Sequence, residues 1–202
     1  MNEQIDNTIV KQWQVIFKQL RIIEKITERR ISEYSSLEFE LTDNIILPLG
    51  YREFEVVFGS GYFGEHIQIF SPICYARSQE IIGYFKETLE RELNYEREAG
   101  EQWFDPQQVA KAKRILDSAL EFGHNFSGDS FVWDLASYQE SDRSYDIYFV
   151  PSVATQVFMV GRDFVEFIRE FALGSRAFEI LPPEFHPYSN ELDWTFTRWI
   201  YQ

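Results

Sequence analysis

The sequence predicts a single α+β domain, residues 1–202, in which helices pack against a mostly antiparallel sheet. Two observations lead to this fold class. Apolar residues recur at helical spacing in several segments before residue 120, whereas short runs of β-branched and aromatic residues follow between residues 130 and 160. The length of 202 residues suits one domain, and the aromatic content of 17% indicates a packed core rather than a disordered chain.

A first helix is predicted from near residue 4 to beyond residue 26, within an N-terminal segment that spans residues 1–36. We expect the apolar stripe of this helix to pack against the rest of the domain rather than to bind a partner. The residues of this stripe recur at helical spacing and are Ile5, Ile9, Trp13, Ile16, Phe17, Leu20 and Ile23.

The next segments are short. Pro48 excludes a continuous helix through its position, and residues 52–58 are predicted as a short helix or strand that ends at Gly59. Residues 66–70 alternate between polar and apolar side chains and precede Ser71-Pro72, so they are predicted as a strand.

Two longer helices follow, and together they form a helical insertion at residues 77–119. The first covers residues 77–98, with apolar residues at four-residue intervals from Ile81 to Leu93. The second begins at Pro106, because Asp105 is a favourable N-cap and proline suits the first helical position, and it ends near residue 119.

The second half of the chain predicts an antiparallel meander. Residues 130–135, 145–150 and 155–160 are rich in β-branched and aromatic side chains, and turn-forming residues separate them. A helix is predicted at residues 162–173, with Gly174 as its end. The tail contains Trp194, Phe196 and Trp199, which suit either a strand or a helical turn and are too apolar to remain in water.

The charge of the chain is strongly negative. The net charge is −14, from 33 acidic and 19 basic residues. Such a field repels phosphate backbones and anionic lipids, so direct binding to nucleic acid or to a membrane is not expected. It attracts a basic protein partner and accelerates the encounter, although an acidic surface also serves solubility alone.

The segment from residue 121 to residue 146 is the most acidic folded part of the sequence, with six acidic residues against Arg143. We expect it to contact the partner, with Trp133 or Tyr138 as an aromatic anchor if exposed; core packing is the alternative for Trp133. The candidate partner-binding residues are Glu121, Asp129, Trp133, Asp134, Tyr138, Glu140, Asp142 and Asp146.

No catalytic, cofactor or metal site is predicted. Cys74 is the only cysteine, and His66, His124 and His186 lack the spacing of a zinc motif. Residues 59–64 match G-x-G-x-x-G, but a dinucleotide site requires a helix directly after the glycines, and a strand is predicted there. These glycines are therefore interpreted as a tight turn, and the protein is not expected to be an enzyme.

A cytoplasmic location is expected from three features. A single cysteine suits a reducing compartment. No uninterrupted apolar run approaches the ~20 residues that a membrane-spanning helix requires. The first residues are polar and acidic, unlike a secretory signal.

The order of several motifs resembles the SMI1/KNR4 family, also called the SUKH superfamily. Leu47-Pro48 is followed by a tyrosine and a phenylalanine at residues 51 and 54, and then by the glycines at residues 59–61. Residues 122–135 (FGHNFSGDSFVWDL) follow the insertion, and a strand that ends at Pro151 precedes residues 162–168 (RDFVEFI). The resemblance spans residues 38–173, and the longer insertion and Gly-Ser-Gly in place of Asn-Gly-Gly depart from the family pattern.

The resemblance implies a curved, mostly antiparallel sheet with helices packed against it, and no shared catalytic residues. It also implies a bacterial immunity protein that neutralises a cognate toxin, often a nuclease, by binding it. The alternative is a regulatory scaffold that binds several partners, as implied by fungal members of the family.

Overall fold

The computed structural model describes residues 5–27, 45–64, 66–71, 73–187 and 194–201. Six helices are present in this part of the chain: α1 Asn7–Gln19, α2 Tyr51–Val57, α3 Tyr75–Ala99, α4 Pro106–Ser118, α5 Phe164–Glu166 with a π-helical continuation at Phe167–Ala172, and α6 Arg176–Ile180. A short 3-10 helix follows at Pro183–Phe185. The strands are β1 Arg21–Thr27, β2 Gly61–Phe63, β3 Ile67–Ile69, β4 Ala119–Asn125, β5 Ser130–Gln139, β6 Ser144–Val150, β7 Phe158–Gly161 and β8 Thr195–Tyr201.

The eight strands form one sheet in the order β1-β8-β2-β3-β4-β5-β6-β7. Only the pairing of β1 with β8 is parallel among these neighbours; the others are antiparallel. The predicted α+β class and the antiparallel meander of β5, β6 and β7 are therefore confirmed. The ambiguous tail is a strand, because β8 pairs with β1 on one side and β2 on the other.

The N-terminal prediction is wrong beyond residue 19. The helix ends at Gln19, Leu20 is extended, and residues 21–27 form β1 instead of further helical turns. The reason is long-range pairing: all seven residues of β1 pair with β8, about 170 residues later, and this outweighs the helical spacing of Ile23 with the residues before it. Residues 1–4 and 28–36 of the predicted segment lie outside the described residues.

The front face of the sheet, which carries Phe122, Trp133 and Phe149, packs against α1, α2, α5 and α6. Trp13 of α1 lies at the centre of this layer and is completely buried. Its indole Nε1 donates a hydrogen bond of 2.7 Å to the carbonyl oxygen of Gly50. Its ring meets the rings of three phenylalanines edge-on at 5.5 to 5.9 Å, namely Phe54, Phe58 and Phe164.

Gly50 illustrates how closely the front layer is packed. It precedes α2 with a φ of +90°, a conformation that side chains with a Cβ rarely adopt. A Cβ at this position would lie 2.8 Å from Cγ2 of Val165 on α5. The turn before α2 is therefore restricted to glycine by both conformation and contact.

The back face, which carries Val132 and Tyr148, packs against the predicted insertion. The two helices predicted at residues 77–98 and 106–119 are confirmed as α3 and α4, and they form an antiparallel hairpin that covers the central strands. Asp105 caps α4 by accepting a hydrogen bond of 2.8 Å from the backbone N–H of Gln107. The buried side chains of this second core include Ile82, Phe85, Leu89, Ala112, Ile115 and Leu116.

Two predicted boundaries shift. The strand predicted at residues 155–160 begins only at Phe158, and Val157 is instead buried against the helical hairpin. The helix predicted at residues 162–173 begins at Phe164 and becomes π-helical from Phe167. Gly174 ends it as predicted, since a Cβ there would lie 2.4 Å from the carbonyl oxygen of Glu170.

The burial of Trp13 generates a stability prediction. Trp13→Ala should lower the free energy of unfolding by about 3–5 kcal/mol, because it removes a large side chain from a close-packed core. Val15→Ala on the solvent-facing side of the same helix, where Val15 is 57% exposed, should change it by at most about 0.5 kcal/mol. Urea unfolding followed by tryptophan fluorescence and circular dichroism measures both; equal losses in the two variants would contradict the central place of Trp13.

Candidate functional site

A cleft of about 290 Å³ opens at the end of the sheet where β3 begins and β4 ends. Four segments that are far apart in the sequence form its walls: the start of β3, the turn between β4 and β5, the loop after β6, and the stretch from α6 to residue 187. Clefts in which apolar surface meets a few polar groups are the usual ligand sites of proteins. We therefore take this cleft as the candidate functional site.

The floor of the cleft is aromatic. Phe131 of β5 and Phe149 of β6 face it from the sheet, and Phe171 faces it from the π-helical segment. Their ring centroids lie about 5.5 Å apart: 5.5 Å for Phe131 and Phe149 and 5.6 Å for Phe131 and Phe171. Leu181 and Ala177 continue the apolar wall on the side of α6.

Asp129 fixes the turn that forms one wall. One carboxylate oxygen accepts a hydrogen bond of 2.7 Å from Nδ2 of Asn125, and the other accepts one of 2.9 Å from the backbone N–H of Ser152. The side-chain oxygen of Asn125 in turn accepts from the backbone N–H groups of Ser127 and Asp129. Asp129 thereby joins the β4–β5 turn to the loop after β6 and brings a negative charge to the cleft wall.

The rim combines polar groups with one exposed ring. His66, Glu184 and His186 line it, and the carbonyl oxygen of Leu181 accepts a hydrogen bond of 2.8 Å from Nε2 of His186. Phe126 also lines the cleft and is 60% exposed, the largest exposed fraction of any phenylalanine described. No sequence pattern identifies Phe126 as a binding residue; the only indication of its exposure is its position directly before the turn-forming Ser127-Gly128.

Four of the eight predicted partner-binding residues, Asp129 among them, are buried inside the protein, which corrects their assignment as surface contacts. Trp133, the proposed aromatic anchor, is 1% exposed and stacks on Phe122 at 4.5 Å, so core packing is its role. Glu121 and Asp134 face the α3–α4 hairpin on the back of the sheet and are also buried. Acidity alone in the sequence does not distinguish a solvent-facing carboxylate from one under a helix.

Asp134 attaches α4 to the sheet. Its carboxylate accepts hydrogen bonds from Nη1 of Arg114 at 3.1 Å and from Oγ of Ser118 at 2.5 Å. A buried carboxylate is tolerated when such donors surround it. The charge of Asp134 therefore serves the fold.

The other four predicted residues lie on the β5–β6 hairpin. Glu140 and Asp142 are exposed at its turn, and the half-buried ring of Tyr138 packs on Tyr145 at 5.0 Å. Asp146 accepts a hydrogen bond of 2.9 Å from Nε of Arg162. Of the eight residues, only Asp129 lines the cleft, and only Glu140 and Asp142 present exposed carboxylates.

Two polar residues of β4 lie near the first turn of α3: Glu121, which is buried, and His124, which is half-buried. Oε1 of Glu121 accepts a hydrogen bond of 2.7 Å from Ser130, whereas Oε2 has no hydrogen-bond partner in the described part of the chain. Burial raises the pKa of Glu121 to about 7, against the opposing effects of Ser130 and the positive Arg77. Burial and, after it, the positive charge of Arg77 lower the pKa of His124 to about 4; Nε2 of His124 lies 2.9 Å from Oε1 of Gln68.

Residues 59–64 are not one tight turn: they include β2 at Gly61–Phe63, with a bend before it and a turn at Gly64 after it, and the strand β3 follows instead of a helix. Gly61 is required where β2 crosses β8, since a Cβ there would lie 2.3 Å from the carbonyl oxygen of Thr197. Within the residues that the structure describes, no group of three or more His, Cys, Asp or Glu side chains is placed to hold a metal ion. None of the described helices is both long and apolar enough to cross a membrane.

Comparison with protein-family models, with curated proteins and with solved structures finds no match to this chain. The geometry of its own residues therefore carries the argument about function.

The pKa shifts of Glu121 and His124 predict opposite dependences of the free energy of unfolding on pH. In the folded protein Glu121 keeps its proton up to about pH 7. Its contribution to the free energy of unfolding is therefore complete below the pKa of the unfolded chain, near 4.5, and is lost as the pH rises to 7. In the folded protein His124 stays neutral down to about pH 4. Its contribution to the free energy of unfolding is therefore complete above the pKa of the unfolded chain, near 6.5, and is lost as the pH falls to 4.

Glu121→Gln removes the first dependence. The free energy of unfolding of this variant, relative to the wild type, should rise by up to roughly 3 kcal/mol between about pH 4 and about pH 8. His124→Gln should show the reverse, with its relative stability greatest at acid pH. Urea titrations across this range measure both, and a Glu121→Gln difference that does not change with pH would contradict the raised pKa.

Proposed function

We propose that this protein binds a basic partner protein and neutralises it, in the manner of an immunity protein that inhibits a toxin domain. One observation carries the proposal. A chain of net charge −14 has a cleft whose described lining combines aromatic side chains with carboxylates and includes no lysine or arginine. Such a surface complements a positively charged protein that inserts a side chain.

Electrostatics favours a nuclease as the class of toxin. The groove of a nuclease that holds the phosphate backbone is positively charged, and an acidic protein can steer itself to this groove and occupy it. The exposed Glu140 and Asp142, at the end of β5 and β6 opposite to the cleft, would contribute to the steering, and the cleft carboxylates lie at the other end of these strands. The inhibition requires binding alone, so the proposal assigns no catalytic residue and no cofactor to this protein.

The order of sequence motifs also supports the proposal. The segments that resemble the SMI1/KNR4 family include the turn before α2, the β4–β5 hairpin and α5. These segments contribute part of the front core and one wall of the cleft. An immunity protein of the SMI1/KNR4 type in the cytoplasm, where a toxin would otherwise act, is thus the specific form of the proposal.

A regulatory scaffold is the second candidate, and one feature favours it. Trp103, in the loop between α3 and α4, is 51% exposed and does not line the cleft. Its backbone N–H and that of Phe104 donate to one carboxylate oxygen of Glu96, and its indole Nε1 donates to Glu101 at 2.6 Å. A pre-ordered exposed tryptophan outside the cleft would suit an additional partner.

Capture and rescue together test the proposal. The tagged protein is used to isolate partners from its native organism at low and moderate salt, and each basic protein recovered in stoichiometric amount is expressed alone in a bacterial host. Growth arrest by that protein, reversed when the present chain is co-expressed, is the expected result. Several substoichiometric partners, none of which arrests growth, would reject neutralisation in favour of the scaffold.

The exposed carboxylates of the β5–β6 hairpin should steer the encounter. Reversal of both charges in the variant Glu140→Lys/Asp142→Lys should slow association with the captured toxin by about three- to tenfold at low salt and flatten its salt dependence. Dissociation should change little, because exposed charges outside the buried part of an interface act mainly on the association rate.

Glu80→Lys/Glu87→Lys on the exposed side of α3 is the matched control, since it changes the net charge equally. Stopped-flow kinetics at several salt concentrations compares the two. Equal effects of both pairs would show that net charge alone, and not the hairpin, sets the rate.

A further inference from the structure

The first two turns of α3, residues 75–81, are weak as an isolated helix start. Cys74 occupies the N-cap position, but no side-chain hydrogen bond caps the helix there. The first turn contains no acidic residue, and Arg77 places a positive charge near the positive end of the helix dipole. The first buried apolar side chain of α3 is Ile82. Contacts with the sheet must therefore hold these turns, which we call the α3 start.

Ser78 attaches the α3 start to β4. Its side chain is 1% exposed, and its Oγ accepts a hydrogen bond of 2.7 Å from the backbone N–H of Glu121. The neighbouring strand β3 ends at Ile69, which pairs with Gly123, so it does not reach this N–H group. The serine hydroxyl supplies the partner that the missing strand residue would provide.

The carboxyl group of Glu121 lies buried beside this attachment, and its side chain is 2% exposed. Its Oε1 accepts a hydrogen bond of 2.7 Å from Oγ of Ser130 on β5, whereas Oε2 meets no donor in the described part of the chain. A protonated carboxyl group bears such burial at moderate cost, because it is neutral. An ionised one would be a buried charge with a single hydrogen bond, which costs far more.

The charged and titratable groups around Glu121 do not compensate an ionised carboxylate. Arg77 acts on it from α3, but its guanidinium group stacks on the ring of Phe70 at 4.4 Å and donates no hydrogen bond to Glu121. His124, on the same strand, stays neutral above about pH 4. Burial therefore outweighs the charge of Arg77 and raises the pKa of Glu121 to about 7. The other titratable residues of α3 near its beginning form no hydrogen bond with this carboxyl group: Cys74, Tyr75 and Glu80.

We propose that the α3 start is a pH-sensitive latch, which lies closed on β4 while Glu121 carries a proton and opens by local unfolding far more often once that proton is lost. Opening is favoured because only the open state hydrates the charge. The rest of the hairpin stays on the sheet, since Ile82, Phe85 and Leu89 remain in the second core. The latch goes beyond the proposed function and does not depend on the identity of a partner.

Amide hydrogen exchange of the complete chain, followed by NMR between pH 5 and pH 7, tests the latch. The reporters are the amides of residues 78–81 and of Glu121, since the N–H of Ser78 is the first that bonds within the helix, to the carbonyl oxygen of Cys74. After correction for intrinsic exchange, their opening equilibrium constant should rise roughly 30-fold over this range, as expected for a pKa of about 7 when closed and about 4.5 when open.

Urea separates local from global opening. The opening of the α3 start should be unchanged by about 1 M urea, because it exposes little surface. The amide of Trp133, on a central strand, should exchange faster in urea, because it exchanges through global unfolding.

Four variants locate the latch. Glu121→Gln should reduce the pH-dependent rise to at most about twofold, whereas His124→Gln should retain it. Ser78→Ala should raise the opening by about fivefold at every pH, through loss of one hydrogen bond. Ser118→Ala is the matched control: it removes the hydroxyl that binds Asp134 from α4 and should leave the opening of the α3 start unchanged.

Three results would overturn the inference. The first is an opening of the α3 start that does not change between pH 5 and pH 7. The second is a urea dependence equal to that of Trp133, which would assign the titration to global unfolding alone. The third is a rise that persists in Glu121→Gln or disappears in His124→Gln.

Discussion

The packing of aromatic rings between the front helices and the central strands is the interaction on which the rest of the structure depends. Trp133 and Phe122 stack on the sheet at 4.5 Å, Tyr51 of α2 meets Trp133 edge-on at 5.4 Å, and Phe164 of α5 contacts each of these three rings within about 6 Å. Helices from both ends of the described chain are thereby held on strands from its middle. Rings at such distances add specific geometry to the burial of large apolar areas.

The same layer forms the floor of the cleft. Phe131, Phe149 and Phe171 continue the aromatic core to the end of the sheet, where each is at most 3% exposed beneath the cleft. The site is therefore rigid at its base, because its floor consists of core residues with little freedom to move. Rigidity of this kind reduces the entropy lost when a partner side chain is bound.

The acidic residues of segment 121–146 are of two kinds, buried and exposed, which a count of charges does not distinguish. Asp134 attaches α4 to the sheet through Arg114 and Ser118, whereas Glu121 lies buried under α3 and accepts a hydrogen bond from Ser130 of the neighbouring strand. Glu140 and Asp142 extend into solvent at the β5–β6 turn. Within this segment, the division between structural and exposed carboxylates follows the pleat of the strands and the position of the helical hairpin.

The sequence by itself determined the α+β class, the two helices of the insertion, the capped start of α4 and the antiparallel meander, because each depends on local spacing, caps and turn residues. Only the tertiary structure decided that residues 21–27 form a strand, since their partner β8 lies about 170 residues away. It alone also decided that Trp133 is buried and Phe126 exposed, although both are aromatic residues of the same hairpin region. The cleft has the same origin: four segments distant in sequence form its walls, and no local pattern encodes which side chains meet across a space.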